Sequence, residues 1–304
     1  MRQSLLATLL AATLAGGFVH PAGAEDRYRI VLSQPDLEIP YRVTGADRAK
    51  AWAAQHPGIA LLILDGQRNS ATQMNGIEDA ITRGADAIVM SPNDSSALAP
   101  VGADVQRAHI PLIVFDRRLN VPADQIAAFI GADNIGMGRI AAREIIRAAG
   151  EHGVVIEIEG TPGASATVDR KSGFEAEMKL HPAITVVSYV GNYRTADAVN
   201  VMEDAIVAHP DAIAIFAHND SMALGAVQVL EEHGKKLPAV GMDGGRAGCD
   251  AVHAGRMLAT VQYPTMMPEA MELALAVLGH KAVPPQTMVT TPLVTSASWA
   301  QYCQ

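Results

Sequence analysis

IPLIVFDR, at residues 110–117, is an apolar run that stops abruptly at an aspartate and an arginine. Six further apolar runs stop in the same way, at polar clusters that begin with Ser33, Asp65, Ser91, Glu159, His218 and Asp243. Short, continuously apolar runs are typical of parallel strands that are covered on both faces. Helical segments follow almost all of the runs, and this alternation predicts an α/β fold with parallel sheets.

The polar ends of these runs indicate a binding crevice. In an open parallel α/β sheet, small molecules bind beyond the carboxyl ends of the strands. The chain places carboxylates, amides and a guanidinium at those ends, and together they can donate and accept many hydrogen bonds. We therefore expect a ligand that is rich in hydroxyl groups.

The first 24 residues are typical of a secretory signal peptide. Arg2 gives a positive start, residues 5–18 form a short apolar stretch, and Ala22-Gly23-Ala24 is a small-x-small cleavage site. A membrane anchor is the alternative, but a spanning helix needs about 20 apolar residues. We expect cleavage after Ala24 and export of the mature chain.

The remaining chain is long enough for two lobes. Removing 24 of the 304 residues leaves 280, whereas single domains usually span about 100–200 residues. Four expected strands precede Leu119 and at least six follow it, which is more than one sheet comfortably holds. We expect one lobe boundary at residues 131–134 and a second after residues 261–264.

The chain is acidic, with a formal net charge of -9 at pH 7, and this argues against a nucleic-acid partner, which needs a basic patch. Catalytic motifs such as H-E-x-x-H and G-x-S-x-G are missing. The ten histidines are scattered, and several lie near expected helix ends, which favours capping over metal binding. We predict that the protein is not an enzyme and holds neither a metal nor a cofactor.

One glycine motif supports an alternative function. Residues 136–141, GMGRIA, fit the dinucleotide pattern G-x-G-x-x-A, and Glu157 and Glu159 follow about 20 residues later. An exported NAD-type oxidoreductase that uses Gly136 and Gly138 is therefore the rival hypothesis. Close packing of a helix explains the same glycines, and the exported compartment offers no ready nicotinamide cofactor. We favour the packing explanation.

The only two cysteines are Cys249 and Cys303. In an exported protein such a pair is a candidate disulfide, which would tie the C-terminal tail to the second lobe. The sequence leaves open whether the geometry permits the bond.

Asp116 and Arg117 follow a buried strand and are candidate ligand contacts. A carboxylate there can accept two hydroxyl hydrogens, and a guanidinium donates several bonds in a fixed geometry. The alternative for this pair is a salt-bridged loop. Arg170 lies one turn into a helix that starts after residues 163–165, so it either lines the crevice or is solvated.

Asn219 and Asp220 open another helix, and Asp220 is expected to be its N-cap. That arrangement leaves Asn219 to face the crevice. Asp243, which precedes two glycines, is either a turn residue or an acceptor at a strand end.

Aromatic residues make up only 4% of the chain, so the placement of each one matters. Tyr41 stands at a helix start and Tyr193 in a strand–helix loop, and both could reach the crevice. An aromatic ring there can pack on the C–H face of a hydroxyl-rich ligand. Trp52 falls within a helical run and is expected in the core.

Seven stretches together point to a known family. They are LSQPDLEIPYR (32–42), DGQRNSATQ (65–73), IPLIVFDR (110–117), GADN (131–134), GASATVDRKSGF (163–174), AHNDSMALGA (217–226) and VGMDG (240–244). Over nearly all of its mature length, the chain resembles the type I periplasmic sugar-binding proteins of the ribose-binding group. It is most similar to their galactofuranose-binding branch.

The resemblance implies two Rossmann-like lobes that are joined by three hinge strands and hold a sugar between them. It places residues 25–131 and 263–290 in the N-terminal lobe, and residues 132–262 and 291–304 in the C-terminal lobe. It further implies a monomeric receptor in the periplasm, which delivers a monosaccharide to the permease of an ABC importer. Docking to a chemoreceptor stays open. A sugar-responsive repressor is disfavoured by the signal peptide and by the lack of a DNA-binding helix-turn-helix before Ile30.

Matched residue by residue, the resemblance implies the following ligand contacts: Ser33, Gln34, Glu38, Tyr41, Arg42, Asp116, Arg117, Arg170, Tyr193, Asn219, Asp243 and Gln262. The ribose-binding pattern has an aromatic pair after the first strand. Here the matching pair is Tyr41-Arg42, and Glu38 lies in a loop that is one residue longer. Galactofuranose-type binders carry an acidic residue and an aromatic–arginine pair there, so we expect a furanose form of a hexose to be preferred over ribose.

Overall fold

Apolar runs build two six-stranded sheets in the computed structural model, which describes residues 28–303. The strands are β1 Tyr28–Gln34, β2 Ile59–Asp65, β3 Ala87–Met90, β4 Leu112–Phe115, β5 Ala128–Ala132, β6 Gly153–Glu159, β7 Ile184–Val190, β8 Ala212–Ala217, β9 Ala239–Asp243, β10 Ala259–Gln262, β11 Gln286–Val289 and β12 Leu293–Thr295. Every residue of β3 and β4 is buried, because helices cover both faces of the first sheet.

Helices connect most of these strands. They are α1 Pro40–Ala54, α2 Ser70–Thr82, α3 Pro100–Arg107, α4 Asn134–Ala149, α5 Ser165–Met178, α6 Thr195–Ala208, α7 Asp220–Glu232, α8 Arg246–His253, α9 Glu269–Leu278 and α10 Trp299–Tyr302. Among the described residues, no helix is long and apolar enough to cross a membrane. The predicted signal peptide lies outside the described residues.

The strand order is β11-β5-β4-β3-β1-β2 in the first sheet and β12-β10-β9-β8-β6-β7 in the second. Neighbouring strands are parallel except for β12, which pairs antiparallel with β10. Each sheet with its helices forms one lobe, so the predicted two-lobed α/β fold is confirmed.

The chain passes between the two sheets at three places. It leaves the first sheet after Ala132, returns to the first lobe after Gln262, and crosses again between Val289 and Leu293. The domain limits given by the resemblance stay a prediction. Trp52 is 5% exposed and lies in the apolar core, as expected from its place in a helical run.

The glycines of the G-x-G motif lie in α4, where two helices pack closely. A Cβ added to Gly138 would stand 2.1 Å from the carbonyl oxygen of Arg170 in α5. A Cβ on Gly173 of α5 would stand 2.0 Å from the carbonyl oxygen of Ile135. The first turn of α4 is capped from within the chain, since Asp133 Oδ1 accepts from Gly136 N at 2.8 Å. Helix packing therefore accounts for the motif, as favoured above.

Cys249 and Cys303 form a disulfide in the structure, with their Cα atoms 5.8 Å apart. The bond joins α8 of the second lobe to the residue that follows α10. The ring of Trp299 stacks on His253 of α8 with a centroid separation of 4.1 Å, so the tail is attached by packing as well as by the covalent link. The pairing that the sequence left open is thereby shown.

We expect either Cys249→Ser or Cys303→Ser to lower the free energy of unfolding by about 2–4 kcal/mol, because the disulfide restricts the unfolded chain. The double variant should lose no more stability than either single variant, since all three variants lack the same disulfide. Denaturant unfolding measures these differences, and wild type under reducing conditions is the matched control. Single variants as stable as the oxidised wild type would contradict the expectation.

Candidate functional site

A cavity of about 280 Å³ lies between the two lobes. Its walls are formed by Ile39, Tyr41, Arg42, Asp116, Arg117, Ala166, Arg170, Tyr193, Asn219, Asp243 and Tyr263. Most of these residues stand at carboxyl ends of strands or in the turns that follow them, where parallel sheets bind small molecules. Eight of the twelve predicted contacts are among the wall residues.

Three wall residues adopt a backbone conformation that side chains other than glycine rarely take. The φ angle is 63° at Asp116, 63° at Tyr193 and 115° at Asp243. Such a conformation costs on the order of 1–3 kcal/mol and persists only where the surrounding structure enforces it. All three follow or end a strand, so the strained turns aim their side chains between the lobes.

The carboxylate of Asp116 is the centre of the cavity's hydrogen-bond network. Its Oδ2 accepts from Arg42 Nη2 at 2.5 Å and from Ser91 Oγ at 2.6 Å, and its Oδ1 accepts from Tyr263 Oη at 2.8 Å. Burial alone would raise the pKa of Asp116. The charges of Arg42 and Arg117 and the two hydroxyl donors outweigh it and lower that pKa to about 2.

Arg42 is 2% exposed, and several neighbouring residues hold it in place. Besides Asp116, it contacts Gln34, whose Nε2 donates to the Arg42 carbonyl oxygen at 3.0 Å. Its guanidinium lies 5.1 Å from the ring centroid of Tyr41. The Nε atom of Arg42 is buried without a hydrogen-bond partner among the described residues, so this donor is unsatisfied in the structure.

Two further arginines enter the cavity from opposite lobes. Arg117 Nη1 donates to the carbonyl oxygens of Pro92 at 3.3 Å and Asn93 at 3.2 Å, and its guanidinium lies 5.3 Å from the Tyr193 ring centroid. Arg170 Nε donates to Asn134 Oδ1 at 2.9 Å, and its guanidinium lies 4.7 Å from the Tyr263 ring centroid. Aromatic rings and carbonyl acceptors hold both guanidinium groups in place. Few protein carboxylates lie close enough to neutralise the positive charges of these two arginines.

His218 supports Arg170 from behind the cavity. Its backbone carbonyl accepts from Arg170 Nη1, and its ring lies between Gly160 N, at 3.2 Å from Nδ1, and Glu157 Oε1, at 3.0 Å from Nε2. Since Gly160 N can only donate, Nε2 carries the ring proton and donates to Glu157. Burial lowers the pKa of His218, so the ring is neutral in this arrangement. The sequence marks His218 as the first residue of a polar cluster and Glu157 as a residue that follows the glycine motif, but it does not predict that they bond to each other.

The cap of α7 differs from the expectation. Asn219, not Asp220, is the N-cap, because Asn219 Oδ1 accepts from Met222 N at 2.9 Å. Its Nδ2 donates to the Tyr193 carbonyl oxygen at 3.1 Å, so Asn219 caps the helix and lines the cavity at once. Both residues are good caps, and the extended backbone of Asn219 decides between them.

Asp220 is instead a buried support of the 244–248 turn. Its Oδ1 accepts from Thr260 Oγ1 at 2.6 Å and its Oδ2 accepts from Gly245 N at 3.2 Å. Burial raises the pKa of Asp220 to about 7. Burial and the neighbouring Asp220 also raise the pKa of Asp243 well above its ordinary range. Within residues 28–303, the carboxylate of Asp243 takes part in no side-chain hydrogen bond, so it is available to a ligand.

The structure does not bring four of the predicted contacts to the cavity wall, namely Ser33, Gln34, Glu38 and Gln262. Ser33 lies behind the wall and accepts from Gln73 Nε2 at 3.1 Å. Gln34 lies behind Arg42, as described above. Both are buried and bond to other residues of the first lobe instead.

Glu38 and Gln262 are directed to other partners. The side chain of Glu38 is 52% exposed and lies at the rim of the cleft, 3.5 Å from Arg68 Nε and 3.9 Å from Arg194 Nε. Gln262 Nε2 donates to the Tyr302 carbonyl oxygen at 3.1 Å, which is part of the attachment of the tail.

Three wall residues were not predicted from the sequence: Ile39, Ala166 and Tyr263. Tyr263 directly follows β10 at a crossing between the lobes, and its hydroxyl donates to Asp116. A signal for it was present, because aromatic residues are scarce and this one stands in a predicted boundary segment. The two apolar residues carry no comparable signal.

The lobes contact each other around the rim of the cavity. Arg118 Nη1 and Nη2 donate to the two carboxylate oxygens of Asp169 at 2.5 and 2.9 Å, and Arg118 N donates to Ser165 Oγ at 2.7 Å. Ser95 N also donates to the Gly163 carbonyl oxygen at 3.1 Å. These bonds join residues of the first lobe to residues of the second, so the cleft is closed in this structure.

A closed cleft between two α/β lobes, with charged donors and acceptors from both, defines a two-lobed solute-binding protein. The sequence profile described as periplasmic binding protein domain matches residues 30–282, and the chain belongs to this family. The chain is 34% identical over 298 residues to the ribose import binding protein of Escherichia coli (strain K12), covering 97% of this chain and 99% of the relative.

Two further similarities involve other ligands. The galactofuranose-binding protein of Escherichia coli (strain K12) is 32% identical over 210 residues, which cover 67% of this chain and 66% of that protein. An ABC transporter periplasmic solute-binding protein from Actinobacillus succinogenes 130z, solved with bound D-allose, superposes with a TM-score of 0.82 at 28% identity. That superposition covers 91% of this chain and 100% of the other. The relatives are binding proteins, and they differ in the sugar that they bind.

We expect part of the pH dependence of stability to come from Asp220 and to be lost in Asp220→Asn. The pKa of Asp220 is about 7 in the folded protein, compared with about 4 when unfolded, so the folded state holds the proton more tightly. The stability from this group is therefore fully present below pH ~4 and is lost as the pH rises through about 7. Relative to Asp220→Asn, the wild-type midpoint of thermal unfolding should fall by several degrees between pH 5 and pH 8.

The exposed Asp204→Asn is the matched control for this experiment, since it also removes one carboxylate but lies on the outer surface of α6. Its pH profile should run parallel to that of wild type. If the profile of Asp220→Asn also runs parallel to that of wild type, the assignment of the titration to Asp220 is wrong.

Proposed function

We propose that this protein is a periplasmic receptor that binds a monosaccharide and delivers it to an ABC importer. The observation that carries the proposal is the buried polar cavity between the lobes, whose donors and acceptors come from both sides. Asp116 and Arg117 follow β4 of the first lobe, whereas Arg170, Asn219 and Asp243 belong to the second. The ribose, galactofuranose and allose binders among the similar proteins support the choice of a sugar.

Cleft closure is the step that couples binding to delivery. A sugar that enters the open cleft and bonds to both lobes interacts more strongly with the closed state, so it shifts the population toward that state. Closure brings the two rims together, as in the contacts of Arg118 with Ser165 and Asp169. The permease then meets a surface formed by both lobes. Docking to a chemoreceptor stays a prediction.

A furanose form of a hexose, with galactofuranose as the leading candidate, is the proposed ligand. Arg42 supports this choice, because it lines the cavity where the ribose-binding pattern has an aromatic residue, and its Nε lacks a partner. A hexofuranose carries two exocyclic hydroxyls that can reach such a donor. A pentofuranose carries only one, on its terminal carbon. Glu38, in contrast, lies at the exposed rim of the cleft and is not part of the cavity wall.

We expect Arg117→Ala to weaken binding of the preferred sugar at least 100-fold. Two hydrogen bonds from a charged donor contribute roughly 3–6 kcal/mol, and this loss corresponds to more than about two orders of magnitude in affinity. Titration calorimetry measures the change, and thermal unfolding shows whether the variant is folded.

Arg107→Ala is the matched control for Arg117→Ala. It removes the same side chain from the same lobe, at an exposed site beside Asp104. Its affinity should stay within threefold of wild type. A folded Arg117→Ala protein that binds sugar within threefold of wild type would show that Arg117 is not a ligand contact.

We expect D-galactofuranose to bind at least tenfold more tightly than D-ribose in direct competition. Arg42 is buried, and we expect its unpaired donor to bond to the second exocyclic hydroxyl of a hexofuranose, which a pentose lacks; an unpaired buried donor costs about 1–3 kcal/mol. Glu38→Gln is the control, because it removes a rim charge and should leave the ratio of affinities within threefold. A tenfold preference for ribose would refute the furanose proposal and leave the sugar receptor intact.

A further inference from the structure

A second cavity adjoins the site on the side of α1 and α8. It encloses about 1310 Å³, part of it open to solvent, and is lined by small or polar groups such as Thr44, Ser221 and Gly245. Three residues line both cavities: Tyr41, Asp243 and Tyr263. The ligand cavity is therefore separated from a much larger space by the side chains of these three residues, which we call the partition.

Tyr263 has a special place in the partition. It is 3% exposed, its ring lies 5.5 Å from that of Tyr41 and its centroid lies 4.7 Å from the Arg170 guanidinium. Its hydroxyl donates to Asp116 Oδ1 at 2.8 Å. Burial and the charge of Asp116 raise the pKa of Tyr263 well above its ordinary range, so the hydroxyl keeps the proton that it donates.

The other two members of the partition are held differently. The hydroxyl of Tyr41 lies 3.1 Å from the Pro264 carbonyl oxygen and 3.3 Å from Met266 Sδ, so it is directed away from the polar network of the cavity. Asp243 is short and leaves its carboxylate free of protein hydrogen bonds. Tyr263 is thus the large side chain that both closes the partition and bonds to the central carboxylate.

We propose that Tyr263 is a specificity-determining residue, which restricts the site to single, unsubstituted sugar units by closing it against the second cavity. This inference rests on the proposed sugar-binding function. It predicts that a smaller side chain at position 263 joins the two cavities and admits sugars that carry a bulky substituent.

The hydroxyl of Tyr263 has a second effect, on Asp116. A carboxylate offers about four acceptor positions. Arg42, Ser91 and Tyr263 together fill three of them, which leaves about one for the ligand. Tyr263→Phe frees a further position and keeps the ring in the partition. The Phe variant therefore separates the hydrogen bond of Tyr263 from its bulk.

The experiment compares wild type with Tyr263→Phe, Tyr263→Leu and Tyr263→Ala. The parent sugar is the tightest wild-type binder among D-ribose, D-galactose (whose solution includes the furanose form), D-allose, L-arabinose and D-fructose. The probes are its phenyl glycoside and its benzyl ether at the terminal carbon, so that a substituent at either end of the sugar is tested. Titration calorimetry gives the affinity of each probe relative to the parent sugar.

In wild type and Tyr263→Phe, both probes should bind at least tenfold more weakly than the parent sugar. In Tyr263→Leu and Tyr263→Ala, the relative affinity of at least one probe should rise tenfold or more. The Leu variant retains apolar bulk near Tyr41 and Arg170 and so protects the test against an unfolded Ala variant. Thermal unfolding verifies that each variant is folded.

Two results would overturn the inference alone: relative affinities in the Leu and Ala variants within threefold of wild type, or a wild type that binds a probe as tightly as the parent sugar. A wild type that binds none of the five sugars would instead overturn the proposed function, and the inference with it. The two failures are distinguished by the wild-type titrations.

Discussion

The fold of the site depends on one buried, ionised carboxylate. Asp116 is 4% exposed, and an unpaired charge at such a position costs several kcal/mol. Its partners come from three separate parts of the chain: Arg42 in α1, Ser91 after β3 and Tyr263 after β10. Because all three must converge for the carboxylate to be stabilised, the geometry of the first lobe and of one hinge crossing is fixed together with it.

The groups left without partners define the chemistry of the ligand. The Nε of Arg42 is a buried donor, and the carboxylate of Asp243 is an acceptor with no protein hydrogen bond among the described residues. A hydroxyl group both donates and accepts, so a polyol can satisfy the two groups together, whereas a simple anion or cation could satisfy only one of them. The rings of Tyr41 and Tyr193, each beside an arginine guanidinium, offer surface on which the C–H groups of such a molecule can pack.

The sequence predicts which residues lie at the binding edge of the sheets better than it predicts where their side chains point. Continuous apolar runs with polar ends are enough to identify the parallel sheets and to place Asp116, Arg117 and Asp243 at one crevice. The cap of α7 and the position of Glu38 are decided by backbone angles and by distant arginines, which no local pattern encodes. To predict that Tyr263 lines the cavity, one must know where the chain crosses between the lobes.

Closure depends on the backbone as much as on charge. Gly163 has a φ of 80°, and a Cβ there would lie 1.8 Å from Asp94 Oδ2 of the opposite lobe, so this position needs glycine for the rims to meet. The Arg118 side chain is half exposed, so solvent screens its bidentate ion pair with Asp169. Rim contacts of this strength permit closure without enforcing it. A solute that bonds to both lobes would therefore add free energy in favour of the closed state, as the proposed receptor function requires.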